Sequence, residues 1–280
     1  MRFPKLTASA LALLIATPAL AQEESKPFTV SGSVGLATDY RFRGVSQTDK
    51  EMAVQGGITV GHESGFYVGT WGSNLAGWGT FGGSNTELDI FGGYKMELTD
   101  GISIDAGLTW FMYPGGADKT DFAEIYSKLS TTVGPVNLLG GIAYAPRQQA
   151  LGRWYFSGAS ASTGIYDRPG DKEDNLYIWG DISSAIPGTP ITVKGHLGYS
   201  NGNSGLGPNG TSVAPTGKYM DWLVGVDMAV PGTPLTAGVA YVDTDISKGE
   251  SAYLLPNFSS TKNGSSIASG KVVFSITAAF

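Results

Sequence analysis

The sequence contains no cysteine and only two histidines among its 280 residues. The absence of cysteine excludes a disulfide framework, a lipid anchor attached to a thiol and a thiolate metal site. The scarcity of histidine restricts histidine-based catalysis to His62 and His196.

Positive charge and long apolar runs are also scarce. The chain has 18 basic and 24 acidic residues, for a net charge of −6. This balance argues against nucleic acid as a partner and against a basic patch that binds anionic membrane surfaces. Beyond residue 21, no segment approaches the roughly 18 consecutive apolar residues of a membrane-spanning helix.

The first 21 residues have the pattern of a secretory signal peptide. Arg2 and Lys5 form its basic end, residues 8–18 are apolar, and Ala19-Leu20-Ala21 matches a cleavage site. We therefore expect export, cleavage after Ala21, and one mature domain over residues 22–280.

Glycine, aromatic residues and alternation of apolar with polar residues are abundant. The chain has 41 glycines, 13 tyrosines and 6 tryptophans, which is typical of neither a helical bundle nor a disordered chain. Period-two alternation predicts β-strands. Twelve segments show it: Phe28–Tyr40, Lys50–His62, Phe66–Ser73, Ser84–Leu98, Ile102–Met112, Asp121–Val133, Val136–Ala145, Asn175–Ile186, Ile191–Ser200, Tyr219–Val230, Leu235–Asp243 and Lys271–Phe280.

The connections between these segments alternate strictly between short turns and long loops. Two of the short turns have the same sequence, Pro-Gly-Thr-Pro, at 187–190 and 231–234. This parity with an even strand count predicts an all-β fold, a 12-stranded antiparallel transmembrane β-barrel with short periplasmic turns and longer extracellular loops. The alternative fold, a soluble β-sandwich, does not require short and long connections to alternate.

Aromatic residues on the apolar strand faces favour the same fold. We expect one girdle beside the long loops and another at the opposite strand ends, because amphipathic rings prefer the membrane interfaces. The first comprises Tyr40, Trp110, Tyr144, Tyr199, Trp222 and Tyr241, and the second comprises Phe28, Phe66 and Phe280.

The last strand, Lys271–Phe280, has apolar residues at its even positions and ends on an aromatic residue. The pattern resembles the C-terminal strand that the barrel-assembly machinery reads in bacterial outer membranes. We therefore expect that machinery, outer-membrane lipid and small polar solutes as partners.

The polar strand faces predict the lining of the barrel interior. Charges there persist either around water, as in a narrow channel, or as paired networks that plug the lumen. The acidic excess favours cations in the channel case. The predicted lining residues are Asp39, Arg41, Arg43, Glu51, Gln55, Glu87, Asp89, Lys95, Asp105, Asp181, Lys194, His196, Asp221, Asp227 and Asp243.

The most distinctive segment contains Asp39, Arg41 and Arg43, which we expect on the lumen side near the outer mouth. A carboxylate beside guanidinium groups can clamp a solute anion or pair with partner strands. Structural pairing is the favoured interpretation.

Residues 35–48, Gly-Leu-Ala-Thr-Asp-Tyr-Arg-Phe-Arg-Gly-Val-Ser-Gln-Thr, resemble the N-terminal signature of the TorF-type porins, a proteobacterial outer-membrane family formerly of unknown function. The similarity extends to Asn85–Tyr94 and to the closing phenylalanine, and covers most of the mature chain. It implies an outer-membrane barrel and carries no catalytic residues.

An enzyme is not predicted, because the sequence has neither a nucleophile elbow nor a P-loop. His196 with Asp181 is the only pair that suggests acid–base chemistry. We expect no cofactor and no metal, since the acidic run at 167–174 lacks the spacing of a calcium loop. The favoured function is passive diffusion of small polar solutes, and the alternative is a non-conducting structural or adhesive barrel.

Overall fold

The computed structural model describes residues 27–280. The predicted signal peptide and its cleavage site lie outside the described residues and stay predictions. Within the described range no helix is both long and apolar enough to span a membrane.

Residues 27–280 form fourteen strands, and twelve of them make one closed antiparallel barrel. The short strands β2 and β3 pair with each other as a separate hairpin. The bounds are β1 Phe28–Ala37, β2 Arg41–Phe42, β3 Val45–Ser46, β4 Ala53–His62, β5 Phe66–Asn74, β6 Thr86–Thr99, β7 Ile102–Met112, β8 Phe122–Val133, β9 Val136–Gln148, β10 Glu173–Ala185, β11 Ile191–Ser204, β12 Thr216–Ala229, β13 Leu235–Thr244 and β14 Lys271–Ala279. The predicted twelve-stranded barrel is confirmed.

The barrel closes where β1 pairs with β14 in antiparallel register, for example Val34 opposite Ala278. Beyond the end of β14, Gly32 and Phe280 exchange backbone hydrogen bonds of 2.9 and 3.0 Å. Because each remaining strand pairs with its neighbours in sequence, no barrel strand has a free edge.

The outside of the barrel is apolar. Val30, Val68 and Val224 are typical, with more than half of each side chain exposed. The expected aromatic positions at the two strand ends are largely as predicted, and Trp110, Tyr144, Tyr199, Tyr241, Phe28, Phe66 and Phe280 are all exposed. Trp222 shares their face, since it lies opposite the exposed Leu197.

Tyr40 is a correction to that girdle. It is buried, and its hydroxyl donates to Glu87 at 3.2 Å. The reason is that β1 ends at Ala37 and the chain then turns across the mouth instead of continuing upward.

The inner wall combines glycine with large aromatic rings. Each aromatic side chain lies against a glycine on a neighbouring strand, so that a Cβ added there would come within 2.6 Å of a ring atom or hydroxyl. These are positions where only glycine permits the close approach. The pairs are Phe91 over Gly69, Tyr67 over Gly93, Tyr126 over Gly107, Trp179 over Gly141 and Tyr177 over Gly198.

The long loops pack into a cap over their end of the barrel. Two apolar clusters hold it together, one around Trp78, Trp154 and Phe258 and the other around Phe81, Tyr113 and Leu151. Short helices lie within these loops: α1 at Gly158–Thr163 and 3₁₀ turns at Gly77–Thr80, Gln149–Leu151 and Ala252–Leu254. The alternation of polar and apolar residues did not predict this cap.

We expect Gly141→Val to destabilise the barrel by about 1–3 kcal/mol, because its Cβ would meet the Trp179 ring. The measurement is the midpoint of urea unfolding in detergent micelles. Gly140→Val is the matched control, since a Cβ at Gly140 meets nothing within 4 Å. Equal midpoints for the two variants would contradict the packing role of the ring.

Candidate functional site

The β2–β3 hairpin folds into the long-loop end of the barrel. Arg43 and Gly44 form its two-residue turn, both with positive φ, 48° and 79°, as the tightest hairpin turns require. A Cβ at Gly44 would lie 2.3 Å from the Thr244 side chain, so glycine fits this position best.

Asp39 and Arg41 hold the base of the hairpin. The Asp39 carboxylate accepts from Arg41 Nε at 2.9 Å and from Ser46 Oγ at 2.6 Å. Arg41 also donates to the backbone oxygens of Gly44 and Ser269. Both side chains of the pair are buried. Structural pairing stays the favoured interpretation of their role.

The side chain of Arg43, at the hairpin tip, contacts strands on the opposite side of the lumen. Its guanidinium donates to Glu124 on β8 at 2.6 Å and to Asn175 on β10 at 2.6 Å. It also lies over the rings of Phe42 and Tyr177, 4.7 and 4.1 Å from their centroids. Because charge-assisted hydrogen bonds and cation–π contacts act together, the tip is fixed to the far wall.

Tyr40 adds a further tie between the hairpin and the wall. Burial, together with the nearby carboxylates of Glu87 and Asp89, raises the pKa of the Tyr40 hydroxyl well above its usual value. The hydroxyl therefore stays protonated and remains a donor to Glu87.

A cavity of about 250 Å³ lies inside the barrel beneath the hairpin. It extends down the lumen to Ser31 on β1 and Thr59 on β4. Its wall is both charged and aromatic. The charged lining residues are Arg41, Arg43, Asp89, Asp105, Glu124, Lys128, Asp181, His196 and Asp221, and the aromatic ones include Trp71, Phe111, Tyr126 and Trp179.

Most of these charges are paired with a neighbouring strand. Lys128 lies 3.1 Å from Asp105, and Lys194, deeper in the barrel, lies 2.7 Å from Asp227. Paired charges of this kind satisfy one another in an interior that is partly shielded from water.

His196 has carboxylates on both ring nitrogens, Asp181 at 2.6 Å and Asp221 at 3.2 Å. The Tyr177 hydroxyl is its remaining side-chain partner, at 2.9 Å. Among the described residues, no serine or threonine hydroxyl is hydrogen-bonded to His196. Asp181 and His196 are therefore in contact, as expected, but in the described part of the chain no hydroxyl nucleophile of a catalytic triad is bonded to the histidine.

Ten of the predicted lining residues face inward on barrel strands. Their role in lining an open pore stays a prediction. They are Gln55, Glu87, Asp89, Lys95, Asp105, Asp181, Lys194, His196, Asp221 and Asp227. Asp39, Arg41 and Arg43 belong to the hairpin region at the mouth.

Two predicted lining residues do not face the lumen. Glu51 precedes β4, is exposed, and pairs with Lys262 in a long loop at 2.7 Å. Asp243 lies outward, opposite Trp222, and accepts from Tyr241 at 2.6 Å. The physical reason is the period of two, since Asp243 and Tyr241 are two residues apart and must share a face.

The prediction omitted Glu124 and Lys128, which form buried ion pairs with Arg43 and Asp105. The sequence contained a signal for the inward position of both residues. Ile125 and Leu129 are exposed outward on β8, which places Glu124 and Lys128 inward by alternation. Asn175, at the outer end of β10, has no such signal, because its contact with Arg43 depends on the hairpin.

We expect Arg43→Ala to cost about 3–5 kcal/mol in unfolding free energy, because it leaves the buried Glu124 without its partner. Urea unfolding in detergent measures this. Arg147→Ala is the control, since Arg147 forms an exposed pair with Glu173 at 3.7 Å, worth at most about 1 kcal/mol. A loss no larger than the control's would contradict the anchoring role of Arg43.

Three solved structures of low sequence identity are similar to this chain. A KdgM porin in complex with disordered oligogalacturonate is 9% identical, with a TM-score of 0.49, over 90% of this chain and 98% of that one. A porin refined at 1.8 Å is 9% identical with a TM-score of 0.42, over 90% of this chain and 100% of that one. The outer-membrane channel DcaP of Acinetobacter baumannii is 11% identical with a TM-score of 0.43, over 93% of this chain and 100% of that one.

No curated protein matches the chain. One family model matches residues 21–280, and its description is "Bacterial protein of unknown function (Gcw_chp)". Since that match spans most of the sequence, the chain belongs to the Gcw_chp family of bacterial proteins.

Proposed function

We propose that the chain is an outer-membrane channel for passive diffusion of small polar solutes, narrowed by the β2–β3 hairpin. The observation that carries the proposal is a closed barrel with an exposed apolar surface around a polar cavity. Exposed apolar side chains are stabilised by hydrocarbon, and a closed barrel leaves no unpaired backbone edge in lipid. Selection would follow from the width and charge of the lumen, without a cofactor or energy input.

In this proposal the long-loop end faces outside and the short turns face the periplasm. Residues 1–21 direct export, and the mature domain, residues 22–280, contains the barrel. The assembly machinery reads the strand that ends at Phe280, whose ring is exposed. The resemblance of residues 35–48 to TorF-type porins supports the same function.

The cap and the hairpin determine how such a channel would work. A cavity of about 250 Å³ has room for one small solute rather than a wide column of water. Because the hairpin is tied to Glu124 and Asn175, passage beyond it requires that the tip move. The proposed channel is therefore narrow and opens by release of the Arg43 contacts.

A non-conducting barrel is the second candidate. The paired lumenal charges and the packed loop cap favour it, since both occupy the space that a passage would need. Its outer loops would then provide a structural or adhesive surface.

We expect low single-channel conductance from the purified protein in planar bilayers, and at least a twofold increase in the double variant Arg43→Ala/Glu124→Gln, because the hairpin tip loses its anchor. The variant Arg147→Ala/Glu173→Gln, which removes an exposed pair, is the control and should conduct like the parent. Absence of conductance in both parent and unanchored barrel would favour the non-conducting candidate.

We expect cations to permeate better than anions, because inward-facing carboxylates outnumber the basic groups near them. The reversal potential in a potassium chloride gradient measures this preference. A reversal potential with the sign of chloride selectivity would reject it.

A further inference from the structure

Asp89 differs from the other carboxylates that line the cavity. Its side chain is 2% exposed, and among the described residues its Oδ1 has no hydrogen-bond partner. A buried carboxylate without a partner is costly, so its position requires an explanation.

The other lining carboxylates each have a partner that carries or can carry a positive charge. Asp105 pairs with Lys128, and Glu124 pairs with Arg43. Asp181 and Asp221 both contact His196. Asp89 is thus the one lining acid in residues 27–280 whose counter-charge the protein does not supply.

Two aromatic residues flank Asp89 on the neighbouring strands. Trp71 on β5 and Phe111 on β7 lie directly opposite Asp89 in the two adjoining ladders. Tyr40 meets the Trp71 ring edge-on at 5.4 Å, and Phe42 meets the Phe111 ring at 5.8 Å. All four rings line the cavity.

This combination of groups selects a class of cation. Calcium and magnesium require six or more oxygen ligands, and the neighbouring Glu87 carboxylate already accepts from Tyr40. Organic ammonium ions are instead recognised by aromatic faces together with one carboxylate, because their charge is spread and weakly hydrated. The cavity volume suits a molecule of a few heavy atoms.

Arg43 shows that this chamber already stabilises an organic cation. Its guanidinium lies between the rings of Phe42 and Tyr177 and pairs with Glu124. Phe42 contacts both Arg43 and Phe111, one of the two rings opposite Asp89.

We propose that Asp89, Trp71 and Phe111 form a binding site for a small organic ammonium ion inside the barrel. The ammonium group pairs with the free oxygen of Asp89, and its carbon substituents contact the two rings. The inference specifies the solute class of the proposed channel, and rests on that function only for its physiological role.

The test is isothermal titration of the full folded protein in detergent with choline chloride, against sodium chloride at equal ionic strength. We expect saturable binding of choline and at least a tenfold weaker Kd for Asp89→Asn. Trp71→Leu should also weaken binding at least fivefold, because the cation loses a ring. If Asp89→Asn fails to fold, the Kd of Trp71→Leu is the deciding measurement.

Glu97→Gln is the matched control and should bind like the parent. Glu97 is on the same strand with the same inward parity, but it is exposed at the short-turn end, outside the cavity lining. No choline binding, sodium binding as tight as choline binding, or an unchanged Kd in both test variants would overturn the site. Since titration needs no conduction, a barrel that conducts without binding choline refutes only this inference, and one that binds without conducting refutes only the channel.

Discussion

Pairing of β1 with β14 closes the sheet, and the remaining architecture depends on this closure because it fixes which side of every strand is inside. In a closed antiparallel barrel, alternate residues must point to opposite surfaces along each strand. Apolar side chains such as Val34 and Ile276 therefore form a continuous outer surface. Most charged side chains of the barrel strands therefore face the lumen, where they must find partners or water.

Inside the barrel, most charged side chains pair with a group of opposite charge. Lys128 with Asp105 and Lys194 with Asp227 join adjacent strands, while Arg43 brings a charge from the loop region to the far wall. The glycines beneath the aromatic rings serve the same interior, because they allow large rings to lie against the wall instead of filling the lumen. The cavity beneath the hairpin exists because of both features.

The strands were predictable from the sequence because period-two alternation is local, and each of the twelve lies within a few residues of its expected position. The hairpin and the cap were not, since their contacts are long-range. Arg43 and Glu124, for example, are 81 residues apart. Tyr40 failed as a girdle residue because strand-like alternation in the sequence continues past Ala37 although the strand does not. Asp243 was misplaced by its charge, although its spacing from Tyr241 already assigned it to the outer face.

The hairpin and the space beside Asp89 share two walls, which couples them physically. Tyr40 contacts Trp71, and Phe42 contacts Phe111, so the hairpin region packs against both of the rings that lie opposite the free carboxylate. Movement of the hairpin tip that breaks the Arg43–Glu124 pair would also move Phe42, its direct neighbour in the chain. A cation bound at Asp89 then has different contacts in the anchored and released states. Any ligand with different affinities for two states shifts the balance between them. If the proposed cation site and the proposed release of the hairpin both hold, occupancy of the cavity and release of the hairpin are therefore linked equilibria.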